Sequence, residues 1–202
     1  MINKLERFIK KLRVQLSRGN MIFGVTGFNA AGKGEFCNYL VAKGFVMYSL
    51  SDIIREELTK QGKEITRENL ILKGNELRSK YGSSILAKRT MQKLEPEKNY
   101  VIDSIRNPEE INLLKRNHDF RLVFIDAPLR KRYLRVIKRK REGEEKISFK
   151  EFQALEQREL ASNNPAGQQL LNCKEMADIL LVNDSTLKAF QKKIDKLMGG
   201  SR

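Results

Sequence analysis

Apolar residues along this chain gather in short continuous runs, separated by longer stretches of amphipathic character. The runs are Met21–Thr26, Phe45–Tyr48, Asn99–Asp103, Phe120–Asp126 and Ala177–Asn183. Runs this short and this apolar read as strands buried on both faces of a sheet. The stretches between them have helical spacing. Lys33–Lys43 predicts a helix ended by Gly44. Ser51–Leu94 is helical in pattern, punctuated by Gly62, Gly74 and Gly82. Asn107, Pro108, Glu109 and Glu110 predict a helix start, with a capping side chain, proline in the first turn and acids at the positive end of the dipole. Ser148 with Glu151 predicts a capping box after a polar, glycine-containing break at 142–148, and Thr186–Met198 a closing helix. Strands alternating with helices imply an α/β fold: a five-stranded parallel sheet with helices on both faces. In such sheets ligands bind at the carboxyl ends of the strands.

Ahead of the first strand, Leu5, Phe8, Ile9, Leu12 and Leu16 mark a narrow apolar stripe on a basic helix over residues 1–20. Residues 21–198 then read as one domain, a size that supports a substantial core. No apolar run approaches the roughly 18 residues of a membrane span. The N-terminus is too charged for a secretory leader. Cys37 and Cys173 are far apart and form no CxxC pair, and His118 is the only histidine. A disulfide framework and a structural zinc site are therefore not indicated, and both cysteines read as small buried apolar residues of a cytoplasmic protein. Net charge is +15, from 40 Lys and Arg against 25 Asp and Glu. Such a surplus attracts polyanions. It admits nucleic acid as a partner, but no RNA-binding motif accompanies it, and nucleotide phosphates are the favoured anion. No membrane partner is expected, and the sequence fits a monomer or a homodimer.

The most specific signal is Gly27-Phe28-Asn29-Ala30-Ala31-Gly32-Lys33-Gly34, which fits G-x-x-x-x-G-K between a strand and a helix. In such a loop backbone N–H groups and the following helix N-terminus cradle phosphates, and the lysine reaches the outer ones. Here Gly34 replaces the usual Ser or Thr, and Glu35 follows it. Glu35 has two readings: a ligand for Mg²⁺, directly or through water, or an acid stabilised by the helix dipole. Asp103 ends an apolar strand, as does an aspartate that holds Mg²⁺ through water.

The loop is similar to that of the adenylate-kinase-like branch of P-loop kinases, where Gly-Lys-Gly-Thr is common. That branch includes the nucleoside monophosphate kinases, with the dephospho-CoA kinases as relatives. The string Gly-Lys-Gly-Glu also resembles a poorly characterised family of small kinase-like proteins in this superfamily. Ser51, Asp52 and Arg55 lie in a stretch similar to the acceptor-binding Ser-Thr-Gly-Asp-x-x-Arg of adenylate kinases. The resemblance implies that Arg55 grips an acceptor phosphate; the alternative is a local Asp–Arg pair on one helix. Asp103–Arg106 resembles the Asp-Gly-aromatic-Pro-Arg motif of nucleoside monophosphate kinases, with Arg106 one residue closer. It implies a second acceptor contact from Arg106. The segments at 156–160 and 167–184 are similar to kinase-like domains fused to deoxycytidylate deaminases, although no deaminase signature is present.

The resemblance further implies a helical acceptor-binding insertion at about 49–95 and a short lid at about 139–158. The lid would bring arginines onto the transferring phosphoryl group, chosen here as Arg139, Arg141 and Arg158 from a cluster that also holds Arg130, Arg132 and Arg135. With Lys33 and Asp103 these are the expected catalytic groups. Gly27, Asn29–Gly34 and Glu35 are the expected ATP site, and Asp103 and Glu35 the expected Mg²⁺ ligands. Asp126 reads as a helix cap, Asn183-Asp184-Ser185 as a strand-to-helix turn or an adenine contact, and Arg78 and Arg89 as pocket-lining or surface residues. The implied activity is transfer of phosphate from ATP to a small phosphorylated acceptor, a nucleoside monophosphate first. Dephospho-CoA and a nucleotide-gated binding role are the alternatives.

Overall fold

Strand β1 (Ile22–Gly27) is buried along its whole length, as its six-residue apolar run requires. It lies at the centre of the sheet, flanked by β3 (Tyr100–Asp103) and β4 (Phe120–Asp126). With β2 (Val46–Ser49) and β5 (Ile179–Val182) the order is β2-β3-β1-β4-β5, and every pairing is parallel. The computed structural model describes residues 21–139, 147–160 and 167–199, without the side chains of Arg158 and Glu159. The expected N-terminal helix and Arg141 lie outside the described residues.

One face of the sheet packs against α1 (Lys33–Ala42) and α9 (Leu187–Gly199). Phe23, Val25, Phe36, Leu40, Val123 and Phe190 form the core there. The other face carries α2 (Leu50–Lys60), α3 (Arg67–Tyr81), α4 (Ile85–Met91), α5 (Pro108–Leu114) and α8 (Leu170–Glu175). Its core includes Leu50, Ile53, Leu77, Ile102, Ile111 and Leu122. Helices α6 (Leu129–Arg139) and α7 (Phe149–Leu160) pack together beside the carboxyl end of β4.

Local chemistry explains the helix starts. Ser49 and Asp52 form a capping box on α2, Asn107 and Glu110 form one on α5 with Pro108 in the first turn, and Ser148 and Glu151 exchange the same pair of bonds at α7. Each satisfies backbone N–H groups that the first helical turn leaves open. Gly62 and Gly82 lie just past helix ends as expected, but Gly74 does not interrupt anything. It sits inside α3, where an added Cβ would come 3.0 Å from Ile54 Cδ1 and 3.3 Å from Arg78 Nη1. A packing demand placed glycine there, which pattern alone reads as a break. Helix α8 has only six residues and is not signalled by the pattern.

Candidate active site

The loop from Gly27 to Lys33 joins β1 to α1 and is shaped by two glycines that cannot be replaced. Gly27 has φ +138°, and a Cβ there would stand 2.1 Å from the carbonyl oxygen of Ile125 on β4. Gly32 has φ +115°, and its Cβ would stand 2.3 Å from Asn183 Nδ2. Ala30 also takes a positive φ of 56°, a conformation that costs an L-residue about 1 kcal/mol. Backbone strain of this kind concentrates at functional loops. Gly32 caps α1 without a side chain, so the helix N-terminus faces the loop bare, as anion binding requires.

The loop is braced from outside. Arg135 donates through Nη1 to the carbonyls of Ala30 (3.2 Å) and Ala31 (3.1 Å) and through Nη2 to that of Asn183 (3.1 Å). Asn183 donates to Ala31 O at 2.9 Å. Arg139 donates to Asn29 Oδ1 at 3.2 Å. Lys33 turns back on its own loop, with Nζ 2.9 Å from Gly27 O and 2.8 Å from Phe28 O. Burial, and then the neighbouring Arg132, pull the Arg135 guanidinium below its ordinary pKa, while Glu35 opposes them. Phe28 lies under the Arg132 guanidinium (4.8 Å) and the Lys174 ammonium (5.3 Å). Arg132 is itself buried, donates to Ala127 O and pairs with both oxygens of Glu156 on α7.

Beside the loop, the end of β3 presents Asp103. One of its oxygens accepts from Ser104 (3.3 Å), and Ser104 in turn accepts from Ser49. The other, Oδ1, is buried with no protein partner. Ser104 has φ +66°. Two residues after it, Arg106 has a buried Nη1 that is likewise unpartnered, and so is Thr26 Oγ1 at the end of β1. Cys37 lies behind this corner. Burial raises its thiol pKa far above normal, Asp103 adds to the rise and Lys33 opposes it, which places the thiol in the fields of both.

The donor set fits Mg²⁺ at Asp103, a hard cation that seeks carboxylate oxygen. Gly34 supplies no hydroxyl, and a side chain there would meet open space. Glu35 is exposed on the first turn of α1. On the opposite flank, Asp52 accepts from Ser49 N–H (3.3 Å) and from Arg55 Nη1 (3.0 Å). The Asp–Arg pairing expected as an alternative is therefore present, half exposed at both ends. Ser51 is part of the same cap through its N–H.

Several placements differ from the sequence reading. Asp126 does not cap the following helix: it accepts from Ala127 N–H and pairs with Lys174, while α6 starts at Leu129 beyond Pro128. Asn183 is buried against the loop carbonyls. Arg78 is not a surface residue but a buried partner of Glu110, and Arg89 pairs with Glu57. Of the chosen arginines, Arg139 reaches the loop. Arg158 lies on α7 with its side chain outside the description, and Arg141 lies outside the described residues. Arg135, not chosen, makes the densest contact with the loop. Its spacing of four from Arg139 was the available signal, since both then share one helix face.

A loop of this form after the central strand of a 2-3-1-4-5 parallel sheet defines a P-loop fold of the nucleotide-kinase type. Solved structures agree on the fold. TT1252 from Thermus thermophilus superposes with TM-score 0.58 at 19% identity, covering 92% of this chain and 100% of that one. A shikimate kinase from Bacteroides thetaiotaomicron gives 0.56 at 13% identity, over 89% and 98%. A family model described as an AAA domain matches residues 24–159. The UPF0200 protein of Sulfurisphaera tokodaii is 30% identical over 181 residues, 88% of this chain and 95% of the relative. That of Methanoregula boonei is 31% identical over 180 residues, 88% and 95%. The chain belongs to the UPF0200 family. Among the described residues no helix is long and apolar enough to cross a membrane.

Proposed function

We propose that this protein is a phosphotransferase that moves the terminal phosphate of ATP, bound with Mg²⁺, to a small acceptor that already carries a phosphate, a (deoxy)nucleoside monophosphate foremost. The observation that carries this reading is the pair of buried groups without hydrogen-bond partners at the end of β3: Asp103 Oδ1, which suits a cation, and Arg106 Nη1, which suits an anion. Buried polar atoms are rarely left without partners unless water, an ion or a ligand supplies them, and a carboxylate and a guanidinium three residues apart suit a cation and an anion.

In this reading the amides of Asn29–Lys33 and the bare N-terminus of α1 hold the donor phosphates, and Lys33 leaves its two carbonyls to meet them. Bound Mg²⁺ neutralises phosphate charge during transfer. Asp103 would hold the cation, and Glu35 would contribute a second carboxylate. Arg55 and Arg106 grip the acceptor phosphate, with Ser51 and Asp52 at the same edge. Helices α2–α4 form the acceptor side. The segment at 139–158 forms the lid, with Arg139, Arg141 and Arg158 offered to the migrating phosphoryl group. A phosphate nucleophile needs no base. A ribose hydroxyl, as on dephospho-CoA, would need one, and Asp52, which accepts from Ser49 N–H and Arg55, is the candidate base.

A second reading, a nucleotide-gated binding protein, is favoured by Gly34, since the metal-binding hydroxyl is missing. One screen separates them: ATP with the 5′-monophosphates of the common ribo- and deoxyribonucleosides, and with dephospho-CoA. Transfer to one monophosphate is expected. Tight ATP binding with no transfer to any acceptor would overturn the enzyme reading.

A further inference from the structure

Its place in the first turn of α5 makes Glu110 look like one more helix-capping acid, yet it is completely buried and fully engaged. Its Oε1 accepts from Arg78 Nε at 3.0 Å and Nη2 at 2.9 Å. Its Oε2 accepts from the backbone N–H of Arg106 at 2.9 Å and of Asn107 at 3.1 Å. Arg78 comes from α3, 32 residues earlier, and is also buried. Gly74 leaves the space that its guanidinium fills. The far side of the same peptide is tied to the start of α8: Gln169 N–H donates to Arg106 O at 2.8 Å, and Asn107 Nδ2 to Gly167 O at 3.1 Å. Buried Cys173 feels Glu110, Arg106 and Arg78 together, which sets all four in one neighbourhood.

A capping box needs only the two backbone bonds. The additional buried arginine is costly to desolvate, and an apolar residue would serve packing as well. What the arginine adds is a rigid planar link between α3 and the peptide that carries Arg106.

We propose that Arg78 and Glu110 are positioning residues for Arg106, locking its backbone to α3 so that the acceptor-side helices and the Arg106 side chain are placed as one unit. Arg106 ends in a buried Nη1 without a hydrogen-bond partner, so no protein acceptor directs that atom. Its aim is set at the backbone, by Glu110 on the N–H side and Gln169 on the carbonyl side. Displacing α3 displaces Glu110 through Arg78 and re-aims Arg106. The ligand is an acceptor bearing a phosphate, and in this respect the inference rests on the function proposed above.

The test uses the full chain with Arg78→Met, Glu110→Gln and the double variant. Glu110→Gln alone strands a buried cation and Arg78→Met alone a buried carboxylate, so each single variant risks unfolding. The double variant removes both charges, while the amide introduced by Glu110→Gln still offers an oxygen to the two N–H groups. Hydrogen exchange of the peptide spanning 104–111 in Arg78→Met and the double variant should rise on the order of tenfold, with β1 and β4 unchanged. With the monophosphate that wild type accepts, KM should rise about tenfold or more at unchanged KM for ATP. A rise in exchange spread evenly over the sheet, or none at 104–111, overturns the proposal and leaves the pair a plain stability element. Unchanged acceptor KM with faster local exchange also overturns it. If wild type transfers phosphate to no acceptor, the exchange measurement still decides the locking, and only the phosphotransfer reading falls.

Discussion

Two glycines of the P-loop should respond to the same substitution with opposite signs. In Gly27→Ala the new methyl meets the Ile125 carbonyl oxygen at 2.1 Å, with the Ile125 nitrogen at 2.8 Å and carbon at 2.9 Å. All three are backbone atoms of the neighbouring strand, in register with Gly27, so no side chain can swing aside. The φ of +138° adds about 1–3 kcal/mol for a residue with a Cβ. Parting β1 from β4 at that point forfeits one or two ladder bonds at about 1 kcal/mol each. The sum is about 3 kcal/mol or more, equal to a fall in Tm of about 6–12 °C for a chain of this size. In Gly34→Ala the methyl meets nothing within 4 Å, and the residue sits in the first turn of α1. Lower entropy of the unfolded chain then stabilises by about 0.4–1 kcal/mol. Thermal and urea melts of both variants, with m-values compared to confirm two-state unfolding, give the answer. Equal losses in the two variants, or a greater loss at Gly34, would refute the loop geometry described above.

Other expectations follow from the site. Lys33→Ala should abolish phosphotransfer while lowering stability by no more than about 1–2 kcal/mol, the worth of its two carbonyl bonds; full turnover in the variant would remove the loop from the mechanism. Asp103→Asn should flatten the Mg²⁺ dependence of ATP binding, and Gly34→Thr, placing a hydroxyl in open space, should be tolerated; calorimetric titrations over a range of Mg²⁺ that do not differ from wild type would show that Asp103 only ends its strand. Arg55→Ala should raise acceptor KM by about tenfold or more with ATP affinity unchanged, the loss of one charge-assisted contact; an unaltered KM would leave Arg55 as the helix partner of Asp52. Burial pushes the Cys173 thiol up to about 12 and Cys37 still further, so both stay protonated in the folded protein where unfolded thiols ionise. The unfolded chain then binds fewer protons than the folded one, and stability should fall as pH rises above about 8.5. A disulfide reagent at pH 8 should find no fast thiol until the chain is denatured, and rapid labelling of either cysteine would contradict the packing.

The sheet was legible because its strands are short apolar runs: all five were found, with ends shifted by a residue or two, although the edge strands β2 and β5 are only partly buried rather than covered on both faces. The P-loop was legible because its glycines answer a backbone requirement that any sequence must meet. Less could be read where one residue type serves several ends. Gly74 looked like punctuation because a glycine that makes room for an arginine is indistinguishable from one that ends a helix. Glu110 satisfied the capping pattern so well that its second partner, Arg78, left no trace, since pairing across 32 residues has no local period. Among the arginines beyond β4, sequence spacing showed a charged helix, but only three dimensions separate Arg135 on the loop carbonyls from Arg132 buried against Glu156.

The helical segment α2–α4 leaves the sheet at Ser49 and returns at Tyr100, one continuous stretch of chain between two adjacent strands. Such an arrangement behaves as an interchangeable cassette. On the function proposed above, a different acceptor would be met by rewriting residues 50–99 while the nucleotide loop and the central strand keep their sequence, with Arg106 retained outside the exchanged segment. The Arg78–Glu110 bond sets the terms of exchange. An incoming cassette must present an arginine at that one point on its second helix, or Glu110 is left as a buried carboxylate held by two backbone N–H groups and no cation. Chimaeras that keep this ion pair, together with the apolar face that Leu50, Ile53, Leu77 and Leu86 share with Ile102, Ile111 and Leu122, should fold where others fail.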